Sequence, residues 1–117
     1  MREAWVRLAF PVYTRLPKDP LAAQRTIRRP AVNHWFAREG GEGRSFNFFP
    51  QLQCIQCPTL LLGGEDDPMI PIECQEESAA ALPANLVRLA RFAGCGHSII
   101  TDAPERAFAI IREFFEG

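Results

Sequence analysis

Three consecutive acids, Glu65, Asp66 and Asp67, close an apolar run in the stretch TLLLGGEDDPMIP, residues 59–71. A single histidine, His97, stands beside Gly96 in AGCGHSIITD, residues 93–102. An acid and a histidine on separate loops have one joint chemistry. The carboxylate fixes the imidazole tautomer and stabilises the imidazolium that forms when the ring takes up a proton. The plainer readings are a solvated acidic loop and a packing or capping histidine. A second candidate set is Cys54-x-x-Cys57 with Cys74, Cys95 and His97, enough ligands for a metal site. Its spacing fits no standard zinc knuckle, and no helix obviously starts after Cys54 to activate a redox thiol. Neither a metal nor a cofactor is expected.

The elements that would carry the two loops are well marked. Pro58 to Gly63 is an unbroken apolar run between Pro and Gly, as expected of a strand covered on both faces. Ile72 to Leu82 holds mostly helix formers and stops before Pro83. Leu86 to Phe92 (LVRLARF) reads as a strand nearer the sheet edge. Asp102-Ala-Pro-Glu105 has the form of a capping box, opening a helix predicted to bury Ala107, Phe108, Ile111, Phe114 and Phe115. Strand, helix, strand, helix is a βαβα unit, which implies parallel strands and an α/β fold. In such sheets chemistry collects on loops leaving the C-terminal strand ends. Neighbouring strands lie about 4.8 Å apart, so the acidic loop and the histidine loop can touch.

The first half of the chain is less regular. Residues 1–16 carry a helix-like pattern (Trp5, Leu8, Ala9, Val12), LPKDP is a break, and residues 21–39 are helix-like but cut by Pro30. GGEGRS, residues 40–45, is a flexible loop followed by Phe46, Phe48 and Phe49. The division is residues 1–54, mostly helical, and 55–117, α/β. Packing between the helices is the expected role of Trp35, Phe36, Phe46, Phe48 and Phe49, and lining a substrate pocket is the alternative.

Composition bounds the function classes. The chain has 117 residues, 47% hydrophobic, and a net charge of −1. That size fits one domain and that balance argues against a dedicated nucleic-acid partner. Nine Lys/Arg against four Asp/Glu in residues 1–50 contrast with four against ten in residues 51–117, so the two halves differ in character. No apolar run approaches the ~18 residues needed to span a membrane. MREAWVRLAF lacks a hydrophobic signal core, so a cytoplasmic protein with reduced thiols is expected.

Gly64-Glu-Asp-Asp67-Pro-Met-Ile-Pro71 resembles the G-x-x-D-x-x-x-P acid loop of the α/β-hydrolase superfamily. Gly94-Cys-Gly96-His97, with Asp102-Ala-Pro104-Glu105 and the closing helix behind it, resembles that superfamily's histidine loop. Acid before histidine agrees with the chain order of that fold. The run QCIQCPTLLLGGEDDP, preceded by an arginine- and aromatic-rich segment, is most similar to proline iminopeptidase-like members. The strong likeness covers roughly residues 55–116. Residues 1–54 are more loosely similar to the helical cap segment inserted before the last two strands. The resemblance selects Asp67 among the three acids and assigns His97 as the catalytic histidine. It implies a small-molecule or peptide substrate, with Trp35, Phe36 and Glu39 as cap residues that could contact it. For Glu39 and Glu42, surface charge is the competing reading.

One part of that chemistry is missing from the sequence. The nucleophile of this fold sits on a sharp strand-to-helix turn, usually G-x-S-x-G. Ser45, Ser78 and Ser98 are the only serines, and none has that context. The chain therefore reads as the C-terminal part of a serine hydrolase that cleaves an ester, an amide or an N-terminal proline peptide, and by itself it should be inactive. The alternative is a short remnant or binding module that keeps the fold without the reaction. Because the strand from Pro58 has a neighbour on both sides in that family, the isolated chain is expected to self-associate.

Overall fold

The computed structural model describes Tyr13 and residues 29–117. The helical expectation for residues 1–16, Tyr13 apart, and the break at LPKDP lie outside the described residues. Residues 21–28 of the helix-like stretch also lie outside the described residues, and Pro30 starts a helix, α1 (Pro30–Ala37). Its missing N–H falls where a helix has no partner for it, and its fixed φ suits the first helical position. Short 3₁₀ turns follow at Glu42–Arg44 and Phe49–Cys54. The second half is β1 (Thr59–Gly64), α2 (Ile72–Ala81), β2 (Val87–Phe92), a short helix α3 (Ile99–Asp102) and α4 (Pro104–Glu116). The fold class is α/β, as expected, with each long element within a residue or two of its predicted bounds.

The two strands pair in parallel, with Thr59 opposite Val87 and Gly64 opposite Phe92. Both strands therefore end level, and their outgoing loops start side by side. The sheet of the described residues has two strands, so Leu60, Leu61 and Leu62 are half-buried rather than covered on both faces.

The core lies under the strand ends. Phe92, Cys95, Ile99 and Ala107 are buried together, with Leu62, Ala90, Ala103 and Ile110 packed against them. Phe92 is fully buried, and burial of a side chain of that size contributes roughly 1.5–3 kcal/mol. The closing helix turns a slightly different face inward than the sequence suggests. Ala107 is buried and Ile110, Ile111 and Phe114 are half-buried, whereas Phe108 and Phe115 are 50% and 82% exposed. The inward stripe is i, i+3, i+4, i+7, and the two phenylalanines sit on its flank. Arg88 on β2 reaches Glu113 on α4 through two hydrogen bonds of 3.1 and 3.2 Å, tying the helix across the strand.

The capping box at Asp102 is not formed. Asp102 is the last residue of α3, Ala103 precedes α4, and no side chain caps α4. Pro104 at the first position supplies the helix start by itself. The Asp102 carboxylate is engaged elsewhere, at the Gly96 amide.

Candidate active site

The acidic loop and the histidine loop are joined by their backbones before any side chain is considered. The Glu65 amide donates to the Phe92 carbonyl at 3.0 Å, and the Asp66 amide donates to the Cys95 carbonyl at 3.0 Å. This approach depends on Gly64. A Cβ there would overlap the carbonyl oxygen of Gly96 and lie 2.6 Å from that of Cys95. Gly94 answers a different need. Its φ of +73° is left-handed, a region glycine enters without penalty and other residues enter at about 1–2 kcal/mol.

Each of the three acids then has a place of its own. Glu65 forms an ion pair with Arg91 at 3.0 Å, so it is exposed and paired rather than simply solvated. Asp66 is exposed. Asp67 turns inward, its side chain only 8% exposed, and one carboxylate oxygen lies 2.9 Å from His97 Nδ1. The other oxygen accepts the Met69 amide at 2.8 Å and the Ile70 amide at 3.1 Å. Both oxygens are therefore fixed, one by the acid's own loop and one by the imidazole.

Burial pushes the Asp67 carboxyl up, but the amides of Met69 and Ile70 and the His97 ring together outweigh it and hold the group below the usual carboxylate range. Asp67 is thus an anion at neutral pH. An anion at Nδ1 calls for the proton on that nitrogen, which leaves Nε2 as the basic nitrogen of the ring. The His97 side chain is 31% exposed, so the ring is held but not sealed off.

Tyr13 is the site residue that sequence reasoning missed. Its carbonyl accepts the His97 amide at 2.9 Å, and its ring meets the imidazole edge-on at 4.4 Å between centroids. One tyrosine far along the chain from the histidine gives no spacing signal that could have found it. The remaining candidates are not brought to the pair. Trp35 and Phe36 lie on α1 and are exposed. The Arg38 guanidinium stacks on Trp35, and Phe36 meets Phe46 edge-on at 5.7 Å. Glu39, just after α1, is exposed.

The cysteines add no second centre among the described residues. Cys54, Cys57 and Cys74 are exposed, Cys95 is buried, and no three metal-ligating side chains converge. Burial raises the Cys95 thiol, the Asp102 and Asp66 carboxylates raise it further, and Arg106 only partly opposes them. It is therefore a protonated packing group rather than a nucleophile. Ser78 donates to the Cys74 carbonyl within α2 at 2.8 Å, and Ser45 lies in the turn after Glu42.

One curated relative is described as "Putative carbamate hydrolase RutD", from Caulobacter sp. (strain K31). It is 31% identical over 72 residues, 62% of this chain and 26% of that protein. A solved structure, MGS-M2, an alpha/beta hydrolase enzyme from a Medee basin deep-sea metagenome library, superposes with a TM-score of 0.57 at 25% identity. It covers 61% of this chain and 25% of its own. The chain is similar to part of an α/β-hydrolase. It spans about a quarter of the length of each relative. No protein-family model matches it. No helix among the described residues is long and apolar enough to cross a membrane.

Proposed function

We propose that this chain carries the acid and the base of a serine α/β-hydrolase, with Asp67 as the acid and His97 as the base. The observation that supports this best is the 2.9 Å contact between Asp67 and His97 Nδ1, made between loops that leave level ends of two parallel strands. The serine belongs to the part of such a hydrolase that these 117 residues do not contain. His97 Nε2 takes the serine proton as the serine oxygen bonds to the substrate's acyl carbon. It then returns the proton to the departing alcohol or amine, and water releases the acyl group by the same route. Asp67 holds the ring in the required tautomer and offsets its charge in each half-reaction.

The substrate class is an acyl compound: an ester, an amide, a carbamate like that named for the sequence relative, or an N-terminal proline peptide. The proline iminopeptidase-like reading rests on the run QCIQCPTLLLGGEDDP and the arginine- and aromatic-rich segment before it, and under that reading Glu39 or Glu42 would hold the substrate amine. A cytoplasmic setting is part of the proposal and fits four thiols that are all free.

The second reading, a non-catalytic module, is favoured by the serines, since none stands on a strand-to-helix turn. One experiment separates the two. The native protein is isolated, its intact mass is measured, and it is assayed against an activated ester and a prolyl amide with and without His97→Ala. A longer product bearing G-x-S-x-G should lose roughly 10²–10⁴-fold in turnover on His97→Ala, the usual contribution of a positioned base. Full activity in that variant refutes the assignment. A native product of 117 residues without turnover establishes the second reading.

A further inference from the structure

The sequence assigns Asp102 to a helix cap, and the structure gives it another partner. Its carboxylate accepts the Gly96 amide at 2.8 Å, six residues back along the chain and one before His97. The loop it touches is difficult to hold in place. Two of its residues, Gly94 and Gly96, are glycines, which lose the most conformational freedom on ordering. The Cys95 amide makes only a long contact of 3.4 Å to the Phe92 carbonyl. The next two amides are gripped firmly: Gly96 by Asp102, and His97 by the Tyr13 carbonyl at 2.9 Å. Of these two, Asp102 is the only charged acceptor, and a carboxylate binds an N–H roughly twice as strongly as a neutral carbonyl does.

Asp102 is itself fixed. It closes α3, whose first residue, Ile99, and whose following residue, Ala103, both belong to the core around Phe92. The hydrogen bond therefore ties the histidine loop to the packed base of α4.

We propose that Asp102 is a positioning residue for His97: by fixing the Gly96 amide it sets the backbone from which the imidazole reaches Asp67. This rests on the reading of Asp67 and His97 as an acid–base pair. A pair of this kind works only when held within about 0.5 Å of its productive geometry. The carboxylate at position 102 acts through the peptide, not on the reacting atoms, and it is required because Gly94 and Gly96, on either side of Cys95, give the loop little stiffness of its own.

The test is NMR of the full chain, which needs no substrate or nucleophile. In the unaltered protein the Gly96 amide should exchange slowly and the His97 Nδ1 proton should give a resolved downfield resonance. Asp102→Ala should speed Gly96 exchange by at least about tenfold and erase the His97 resonance, at a temperature where the amide spectrum stays dispersed. Asp102→Asn retains a carbonyl acceptor and should keep both signals, whereas a role in fold stability alone would leave the His97 resonance intact in either variant. A folded Asp102→Ala protein with an unchanged His97 resonance overturns the proposal. So does a Gly96 amide that exchanges freely in the unaltered chain, a result that depends on no variant folding. Asp67→Ala separates the two levels. A His97 resonance that survives it removes the acid–histidine pair itself. A resonance lost in Asp67→Ala but kept in Asp102→Ala removes only the role of Asp102.

Discussion

Gly64→Ala should part Asp67 from His97 without altering either side chain. The added Cβ would overlap the Gly96 carbonyl oxygen and sit 2.6 Å from the Cys95 carbonyl oxygen. Ordinary contact begins at 3.4 Å, so the loops must separate by about 0.8 Å or more. Both obstacles are backbone atoms and cannot swing aside like a flexible side chain. The same movement would stretch the Asp66–Cys95 hydrogen bond from 3.0 Å and the Asp67–His97 contact from 2.9 Å. Each would reach roughly 3.7–3.8 Å, beyond hydrogen-bonding range. Overpacking of this kind costs about 1–3 kcal/mol, and each lost hydrogen bond about 1 kcal/mol more. The total is about 3–5 kcal/mol, a large share of the stability of a small domain. At about 4–8 °C per kcal/mol the melting temperature should fall by roughly 10 °C or more. Thermal unfolding followed by circular dichroism reads the stability, and the His97 Nδ1 proton reads the pair. A Gly64→Ala protein that melts within a few degrees of the parent and keeps that proton would show that the loops do not depend on this contact.

Asp67 should separate the two jobs of one carboxylate. Asp67→Asn keeps an acceptor for Met69 and Ile70 while Asp67→Ala does not, so the alanine variant should be the less stable by about 1–3 kcal/mol in denaturant unfolding; equal stabilities would refute the double role. Because the folded carboxyl sits below its unfolded value, its contribution is complete above about pH 4 and is lost as pH falls through the lowered value. The advantage of the parent over Asp67→Asn should therefore shrink on that acid side, and an advantage unchanged down to about pH 2 would contradict the linkage. For the isolated chain we propose self-association, since the described sheet has only two strands and Ile100, Phe108 and Phe115 are exposed; light scattering that reports one monomeric mass at every concentration would count against it.

The parts of the fold legible in sequence were those governed by local pattern. The run TLLLGG, the helix formers after Ile72 and the amphipathic tail from Pro104 each sit where spacing placed them. Failures came where two local rules competed. Asp102-Ala-Pro-Glu105 has the form of a cap, but Pro104 starts the helix without one, and the Asp102 carboxylate accepts the amide of Gly96. Phe108 and Phe115 fit an apolar stripe, yet among the described residues a helix on two strands has too little surface beneath it to cover that width. Asp67 was legible through the resemblance, and the structure adds what spacing could not, the division of its two oxygens between Ile70 and His97. Tyr13 was illegible because its contact with His97 is long-range and carries no motif.

The acid–histidine contact follows from strand register more than from the loops themselves. With Gly64 opposite Phe92, the acid lies three residues past one strand end and the histidine five past the other. A slip of one residue would displace one loop by about 3.3 Å and turn every side chain of that strand to the other face. That displacement exceeds anything the 2.9 Å contact could absorb. The slip is opposed by Leu62, Ala90 and Phe92, which would leave the cluster around Cys95, Ile99 and Ala107. The hydrophobic pattern that folds the βαβα unit is thus also what aligns Asp67 with His97. This is why the pair forms although the sequence carries no G-x-S-x-G segment. On the proposed reading, a nucleophile supplied from elsewhere would need only to reach Nε2, because the packing beneath the strands and the Asp102–Gly96 hydrogen bond together orient His97.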